Sequence, residues 1–282
     1  MKLINSSFEI YDQKPGLEGI YEAIEYAGRT CYKSTRPEGQ TAKDFVDRMI
    51  ASKHLAMCEH GTIYLTIPND HDICLVLKLN PYTKCNPVNN VCYATTNLRV
   101  LVEHEALWLL KYMCEPTEHH EKRYTVKLIC DRGVSHEFVR HRTFSFAQES
   151  SRYCNYAKNR FNNELTFIIP SWTNLPEQDY GNSAHPKVFN KGYANGVETA
   201  FVDSLRIAEN YYFNLLNEGW KPQQARAVLP NAIKTELVMT GFISDWIHFF
   251  DLRAIGTTGA PHPDAKALAE PLMVEIMKRR RL

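Results

Sequence analysis

The sequence predicts an α+β fold. Segments of helical periodicity and runs of strand-forming residues follow one another without the regular strand–helix alternation of a doubly wound sheet. The composition, 44% hydrophobic and 23% charged, is that of a soluble globular chain and excludes bulk disorder. At 282 residues there is room for one large domain or two modest ones, and no repeat or low-complexity linker divides them.

The elements follow in order. Residues 17–33 set Leu17, Ile20, Ile24 and Ala27 at helical spacing. Residues 41–55 form a second helix, with Thr41 as cap and Phe45, Met49 and Ile50 on one face. TIYLTI and ICLVLKL read as the strands of a hairpin across PNDHD. Residues 81–96, with two prolines and three asparagines, read as a loop, and residues 97–114 as one helix stopped by Glu115-Pro116. YTVKLIC is a strand, after which Asp131 caps a short helix through Val134, Phe138 and Val139. TFIIP is a further strand, and residues 171–190 a polar surface excursion. A long helix spans about 194–217 and ends at Gly219. Pro222 opens KPQQARAVL, which Pro230 closes. AIKTELVMTGF is a strand, Ser244 caps SDWIHFFDLRA, and the last helix carries Pro271, a kink or break.

Net charge is +1, so any anion site is local, and no general nucleic-acid surface is expected. No apolar run approaches the roughly 20 residues that span a bilayer, and the N-terminal segment lacks a signal-peptide core. A cytoplasmic protein with no membrane partner is the expectation. Eight scattered cysteines, without a C-x-x-C, write neither a zinc site nor a disulfide framework and are expected reduced. His136-Glu137…His141 misses the zinc-protease pattern: the second histidine falls at i+5, and Arg140 holds i+4. No metal site is expected.

The richest chemistry lies at Arg140-His141-Arg142, followed by Phe144, Phe146, Ser150, Arg152 and Tyr153. Burying adjacent cations is costly unless they find partners, whereas a structured cluster with aromatic walls suits a phosphate-bearing heterocycle. Helical spacing sets Arg253 on the side of Trp246, Phe249 and Phe250, and Arg226 lies in ARAVLP. These arginines come from three separate elements, as a nucleotide pocket would require. No P-loop, dinucleotide fingerprint or nucleophile elbow competes, and Ser150 has no adjacent base in sequence.

Arg140-His141-Arg142, seven residues, Ser150 and then Arg152-Tyr153 resemble the hallmark of the flavin-dependent thymidylate synthases. His54…Glu59-His60, Ala225-Arg226…Leu229-Pro230 and His248-Phe249…Leu252-Arg253 fall in that family's order. The resemblance covers roughly 17–67, 124–170 and 200–275. It implies one domain over 1–282, helices around a small, largely antiparallel sheet, with insertions at about 70–123 and 171–195. It further implies a homotetramer with shared active sites that methylates dUMP to dTMP. The carbon would come from methylenetetrahydrofolate, and the reducing equivalents from NADPH through FAD. His141, Arg142 and His248 would contact FAD, and Arg140 would lie between flavin and nucleotide. Gln148 would touch both; Glu137, Ser150, Arg152 and Arg226 would bind dUMP. Arg253 would polarise the pyrimidine as the catalytic electrostatic group.

The chain departs from the family pattern at Glu137, where relatives commonly carry Gln, and at Ala56, where many carry Ser or Thr. It also has a longer, glycine-rich stretch after Arg253. A nucleotide- or RNA-binding module without redox turnover is the alternative reading, and a regulatory paralogue that lost turnover through Glu137 is a third.

Overall fold

The computed structural model describes residues 1–69, 72–158, 163–181 and 196–280. Its centre is a four-stranded antiparallel sheet. Its strands run in the order β2 (Ser7–Tyr11), β6 (Arg123–Asp131), β10 (Lys234–Phe242) and β7 (Ser145–Gln148). The long pair β6–β10 runs from Arg123 opposite Phe242 to Asp131 opposite Lys234. Two smaller sheets flank it. In one, β1 (Lys2–Ile4) lies parallel to β8 (Thr166–Ile168) and antiparallel to β9 (Gln178–Asp179). In the other, β5 (Val91–Asn97) lies between β3 (Thr62–Pro68) and β4 (Lys84–Val88).

The α+β prediction holds, with three small sheets in place of one. β10 is buried from Leu237 to Phe242 because both its faces are covered. Val238 meets Ala147 and Ala27 of α1 (Gly16–Tyr32) on one face. Leu237 and Met239 face the other, with Val126, Leu128 and Cys130 of β6. That second face is closed by α5 (Arg132–Phe138), α8 (Ile243–Phe250) and α9 (Pro263–Arg280), through Phe138, Trp246, Phe249 and Leu272. Fully burying each such side chain contributes about 1.5–3 kcal/mol.

The capping chemistry is as predicted at α2 (Ala42–Ala51), where Thr41 and Asp44 form a reciprocal box, and at α5, where the Asp131 carboxylate accepts from the Val134 amide at 2.9 Å. The long α6 (Gly196–Asn217) and the short α7 (Pro222–Ala225) also form, Gly219 with φ +92° following α6; residues 194–195 lie outside the described residues. β1, β2 and β7 were not anticipated.

Other segments differ from prediction. ICLVLKL is helix α3 (Ile73–Leu79), not a strand, and no hairpin joins it to TIYLTI. An all-apolar run carries no period, and here only Cys74 and Leu77, three apart, are buried. β3 pairs instead with β5, and residues 81–96 are largely a hairpin rather than a loop. Its turn is Asn89-Asn90, at φ +47° and +64°, the left-handed pair that a two-residue hairpin demands and that Asn tolerates. Pro87 is accommodated because β4 is an edge strand.

Residues 97–114 split into α4 (Leu98–Glu103) and a 3-10 turn, Leu107–Tyr112. Glu105, at φ +52°, ends α4 where a glycine would have signalled the stop, and the Ala106 amide closes back on the Leu101 carbonyl at 2.7 Å. α8 starts one residue before Ser244; its first turn is closed by the Asp245 carboxylate accepting from the Phe242 amide, while the Ser244 amide donates to Glu121. α9 runs unbroken through Pro271, because Leu268, Ala269, Leu272 and Ile276 bury its face and offset one lost hydrogen bond.

Arg123 joins the sheets. Its buried guanidinium donates to the Glu59 carbonyl at 3.1 and 3.2 Å, to Thr62 Oγ1 at 3.2 Å and to Ser145 Oγ at 3.3 Å, and lies 5.4 Å from the centre of the Phe242 ring. Arg123→Met should therefore destabilise the protein by about 2–4 kcal/mol, since the hydroxyls and the carbonyl it serves would be buried without a donor. Denaturant unfolding measures this; a loss below about 0.5 kcal/mol would show that the tie is dispensable.

Candidate active site

The arginine-rich segment leaves the C-terminal end of α5 and is pinned by Phe144. This buried ring lies against Gly241 of β10, where a Cβ would come within 2.6 Å of it, and meets Trp246 edge-on at 4.7 Å. His141 is thereby set on α8, its ring 5.0 Å from Phe249 and 6.1 Å from His248. After α8 the chain widens into a π-helical turn, Asp251–Ile255, that ends at Gly256 with φ +78°. Trp246 and Phe250, one turn before it, stack on each other in the core. Of the three aromatics expected beside Arg253, Phe249 is linked to it through His141, which Arg253 bonds at 3.2 Å and whose ring lies 5.0 Å from Phe249.

Arg253 Nε donates to His141 Nε2 at 3.2 Å, NH1 pairs with the Glu137 carboxylate, and NH2 donates to the Glu137 carbonyl at 3.1 Å. Burial, then Arg253, then His248 push the His141 pKa down to about 4, so the ring is neutral at pH 7. Arg140 and Arg142 are exposed on either side of it, their side chains without a hydrogen-bond or ion-pair partner among the described residues.

A second group forms on the other side of α5. Gln148 Nε2 donates to Ser135 Oγ at 2.8 Å and Thr235 Oγ1 at 3.3 Å. The Ser150 amide donates to the Cys31 carbonyl at 2.9 Å, and Ser150 Oγ accepts from the Arg152 amide at 3.4 Å. Arg152 is exposed and lies 5.3 Å from the Tyr153 ring centre, which in turn is 5.4 Å from Tyr32. Arg226 NH1 donates to Ser151 Oγ at 3.1 Å.

Beside these lies a pocket of about 350 Å³ lined by Arg132, His136, Ser151, Tyr156, Arg226 and Lys234. Its charge is unbalanced. Lys234 sits between the Glu149 and Glu236 carboxylates, 2.8 Å from each, and Lys33 joins Glu236 from α1. Burial would raise the Glu236 pKa, but Lys234 and Lys33 outweigh it and hold it at about 2. Glu149 is only 1% exposed and also accepts from Tyr156 at 3.0 Å. These four charges cancel. Among the described residues, Arg132 donates only to neutral acceptors, the Glu149 carbonyl at 3.3 Å and Thr235 Oγ1 at 3.4 Å, and Arg226 only to a serine. Two guanidiniums thus face a pocket without a carboxylate on either, which is a site for an anion.

The structure brings Glu137, Arg140, His141, Arg142, His248 and Arg253 to one group, and Gln148, Ser150, Arg152 and Arg226 to the other. No hydrogen bond or ion pair among the described residues joins the two. Sequence reasoning missed Arg132, His136 and Lys234; an arginine directly after a strand-ending Asp131 was the available signal. A further cavity of about 470 Å³, lined in part by Tyr32, His54, Ala56 and Arg99, lies next to the second group.

The sequence profile of a family described as thymidylate synthase complementing protein matches residues 90–280. A flavin-dependent thymidylate synthase of Corynebacterium efficiens is 35% identical over 123 residues, 44% of this chain and 46% of that protein. One from Mycobacterium sp. (strain JLS) is 24% identical over 259 residues, 84% of this chain and 69% of that protein. The chain thus spans about half the length of several curated relatives it matches. A solved UMP/dUMP methylase of Streptomyces cacaoi, bound with 5-Br dUMP, aligns over 99% of this chain and 93% of its own at 16% identity, with a TM-score of 0.47.

Three buried imidazoles, His60, His120 and His141, make stability depend on pH, burial lowering the pKa of each. His60, which bonds Thr240 Oγ1 at 2.8 Å, is driven to about 3 by burial and then by Arg123, and His141 to about 4. An unfolded histidine takes up its proton near pH 6.5, so below that value the unfolded state binds more protons than the folded one. The stability these groups contribute is complete above about pH 6.5 and falls as pH drops toward their folded values. Urea midpoints measured from about pH 7 to 5.5 should fall, and His141→Gln should flatten the slope. An identical slope in that variant would show that His141 titrates normally.

Proposed function

The chain belongs to the thymidylate synthase complementing protein family, and on that premise we propose that it is a flavin-dependent thymidylate synthase. It would methylate dUMP with a one-carbon unit from methylenetetrahydrofolate, using NADPH as reductant through FAD. The observation that carries this reading is the pair Arg132 and Arg226, unbalanced in a pocket large enough for a nucleotide monophosphate and adjoining the Ser150–Arg152 turn. Forked donors without a carboxylate suit a dianionic phosphate. Ser150 binds through its hydroxyl; with no base bonded to it among the described residues, it is not a nucleophile.

The first group fits the flavin. Arg140 and Arg142 are exposed cations without partners among the described residues, suited to a pyrophosphate, and between them stands a neutral imidazole backed by Phe249. His248 lies alongside. FAD would supply hydride chemistry, which makes an enzyme nucleophile unnecessary. Arg253 would stabilise negative charge developing on the pyrimidine with the N–H groups its present partners leave free. Glu137, expected against dUMP, commits its carboxylate to Arg253. The cavity at His54 and Tyr32 offers aromatic faces to the folate.

No hydrogen bond or ion pair among the described residues links the two groups within one chain, which supports a homotetramer whose sites pair the first group of one copy with the second group of another. We read the 282 residues as one domain, with 70–123 and 171–195 as additions to it. The described residues contain no helix long and apolar enough to cross a membrane, and a cytoplasmic location is part of the same reading.

The test is dTMP formation by the purified protein with FAD, NADPH and methylenetetrahydrofolate; nucleotide binding by a colourless protein without turnover would favour a binding module. Arg226→Ala should weaken dUMP by tenfold or more, the loss of one charge-assisted bond worth about 1.5–3 kcal/mol, and leave deoxyuridine affinity unchanged. Equal losses for both ligands would move the phosphate elsewhere. In mixtures, inactive Arg226→Ala and Arg253→Ala proteins should restore activity, because they damage different groups. Arg142→Ala with Arg253→Ala should not. Failure of the first mixture under subunit exchange would end the shared-site reading.

A further inference from the structure

We propose that Glu137 is a positioning residue: through Arg253 it fixes the His141 ring in the form that carries its proton on Nδ1, and so presents that N–H to a ligand. The carboxylate and the carbonyl of Glu137 hold two arms of the Arg253 fork, and the third, Nε, donates to His141 Nε2 at 3.2 Å. A ring nitrogen that accepts has no proton of its own, so in a neutral imidazole the proton is on Nδ1. The ring is neutral because it is buried beside a cation, with His248 at 6.1 Å as the other titratable neighbour. Nδ1 makes no hydrogen bond among the described residues and is left to donate outward.

The clamp depends on this chain's carboxylate. An arginine held only by a carbonyl and an imidazole has several rotamers open to it, whereas a carboxylate fixes the plane of the fork. The π-helical turn Asp251–Ile255 sets Arg253 against the end of α5, where the clamp can close. The relay from Glu137 to His141 is complete within the protein, and only the identity of the ligand, FAD, rests on the proposed function.

The experiment is long-range proton–nitrogen NMR of the full chain labelled at histidine nitrogens, with the His141 signals assigned by their loss in His141→Gln. The parent should show a neutral ring with its proton on Nδ1. Glu137→Ala should show a mixture of the two neutral forms and bind FAD roughly tenfold more weakly, at an unchanged thermal midpoint. Glu137→Gln, which keeps an acceptor for Arg253, should return both readouts toward the parent. A parent ring protonated on Nε2, or a Glu137→Ala protein that keeps a single Nδ1–H form, would overturn the proposal. The NMR arm needs no ligand, so a protein that fails to make dTMP yet shows the ring change sinks the proposed function and leaves the clamp standing.

Discussion

The buried guanidinium of Arg123 is the constraint around which the sheets are arranged. A cation cannot be taken out of water without several kcal/mol of compensation, and no side-chain carboxylate bonds this one among the described residues. Its surroundings therefore have to supply oxygens from several directions: the carbonyl of Glu59, the hydroxyls of Thr62 and Ser145, and the face of Phe242. Those groups belong to the turn before β3, to β3 itself, to β7 and to the end of β10. The adjacent chain of hydroxyls, Thr125 to Thr240 to His60, extends the same polar seam between the sheets. Ser145 follows Phe144, so the charge that aligns the sheets also fixes the start of the segment that carries His141.

Charge in this molecule is sorted into compensated and uncompensated sets. Lys33, Lys234, Glu149 and Glu236 cancel over a few ångströms beneath the second group, and Glu137 cancels Arg253 in the first. What remains positive in the two groups, among the described residues, is Arg132 and Arg226 in a pocket, and Arg140, Arg142 and Arg152 at the surface. A net charge of +1 conceals this, because the balance is local and not global.

The parts of the fold legible in the sequence are those whose local signals agree. α1 has period, α2 has period and a capping box, β6 and β10 carry strand-forming residues between turn signals, and Asp131 announces α5. What could not be read was decided by partners distant in sequence. ICLVLKL has no period, and β5 had already taken the strand beside β3. Asn89-Asn90 and Glu105 adopt left-handed backbone without glycine, so a hairpin looked like a loop and a helix stop like a continuation. In the candidate site, the motif residues lie in two groups on α5 and the segment that follows it. The division into two groups was invisible because Ser135, His136 and Glu137 are neighbours in sequence yet serve different sides of α5. Arg132 was overlooked because nothing local marks an arginine that will face a pocket made by Arg226.

The wide turn at Asp251–Ile255 has a consequence for chain length. A π-helical turn holds one residue more than the α-helix around it, so the helix leading to Arg253 carries a single added position. In an α-helix one residue is about 100° of rotation. Shortening this turn by one residue would leave α8, its aromatic core and Gly256 able to form, yet swing the guanidinium a quarter-turn or more away from Glu137 and His141. The meeting of three side chains is thus recorded in the chain as a length, and deletions of one residue here act on the site as point substitutions do elsewhere.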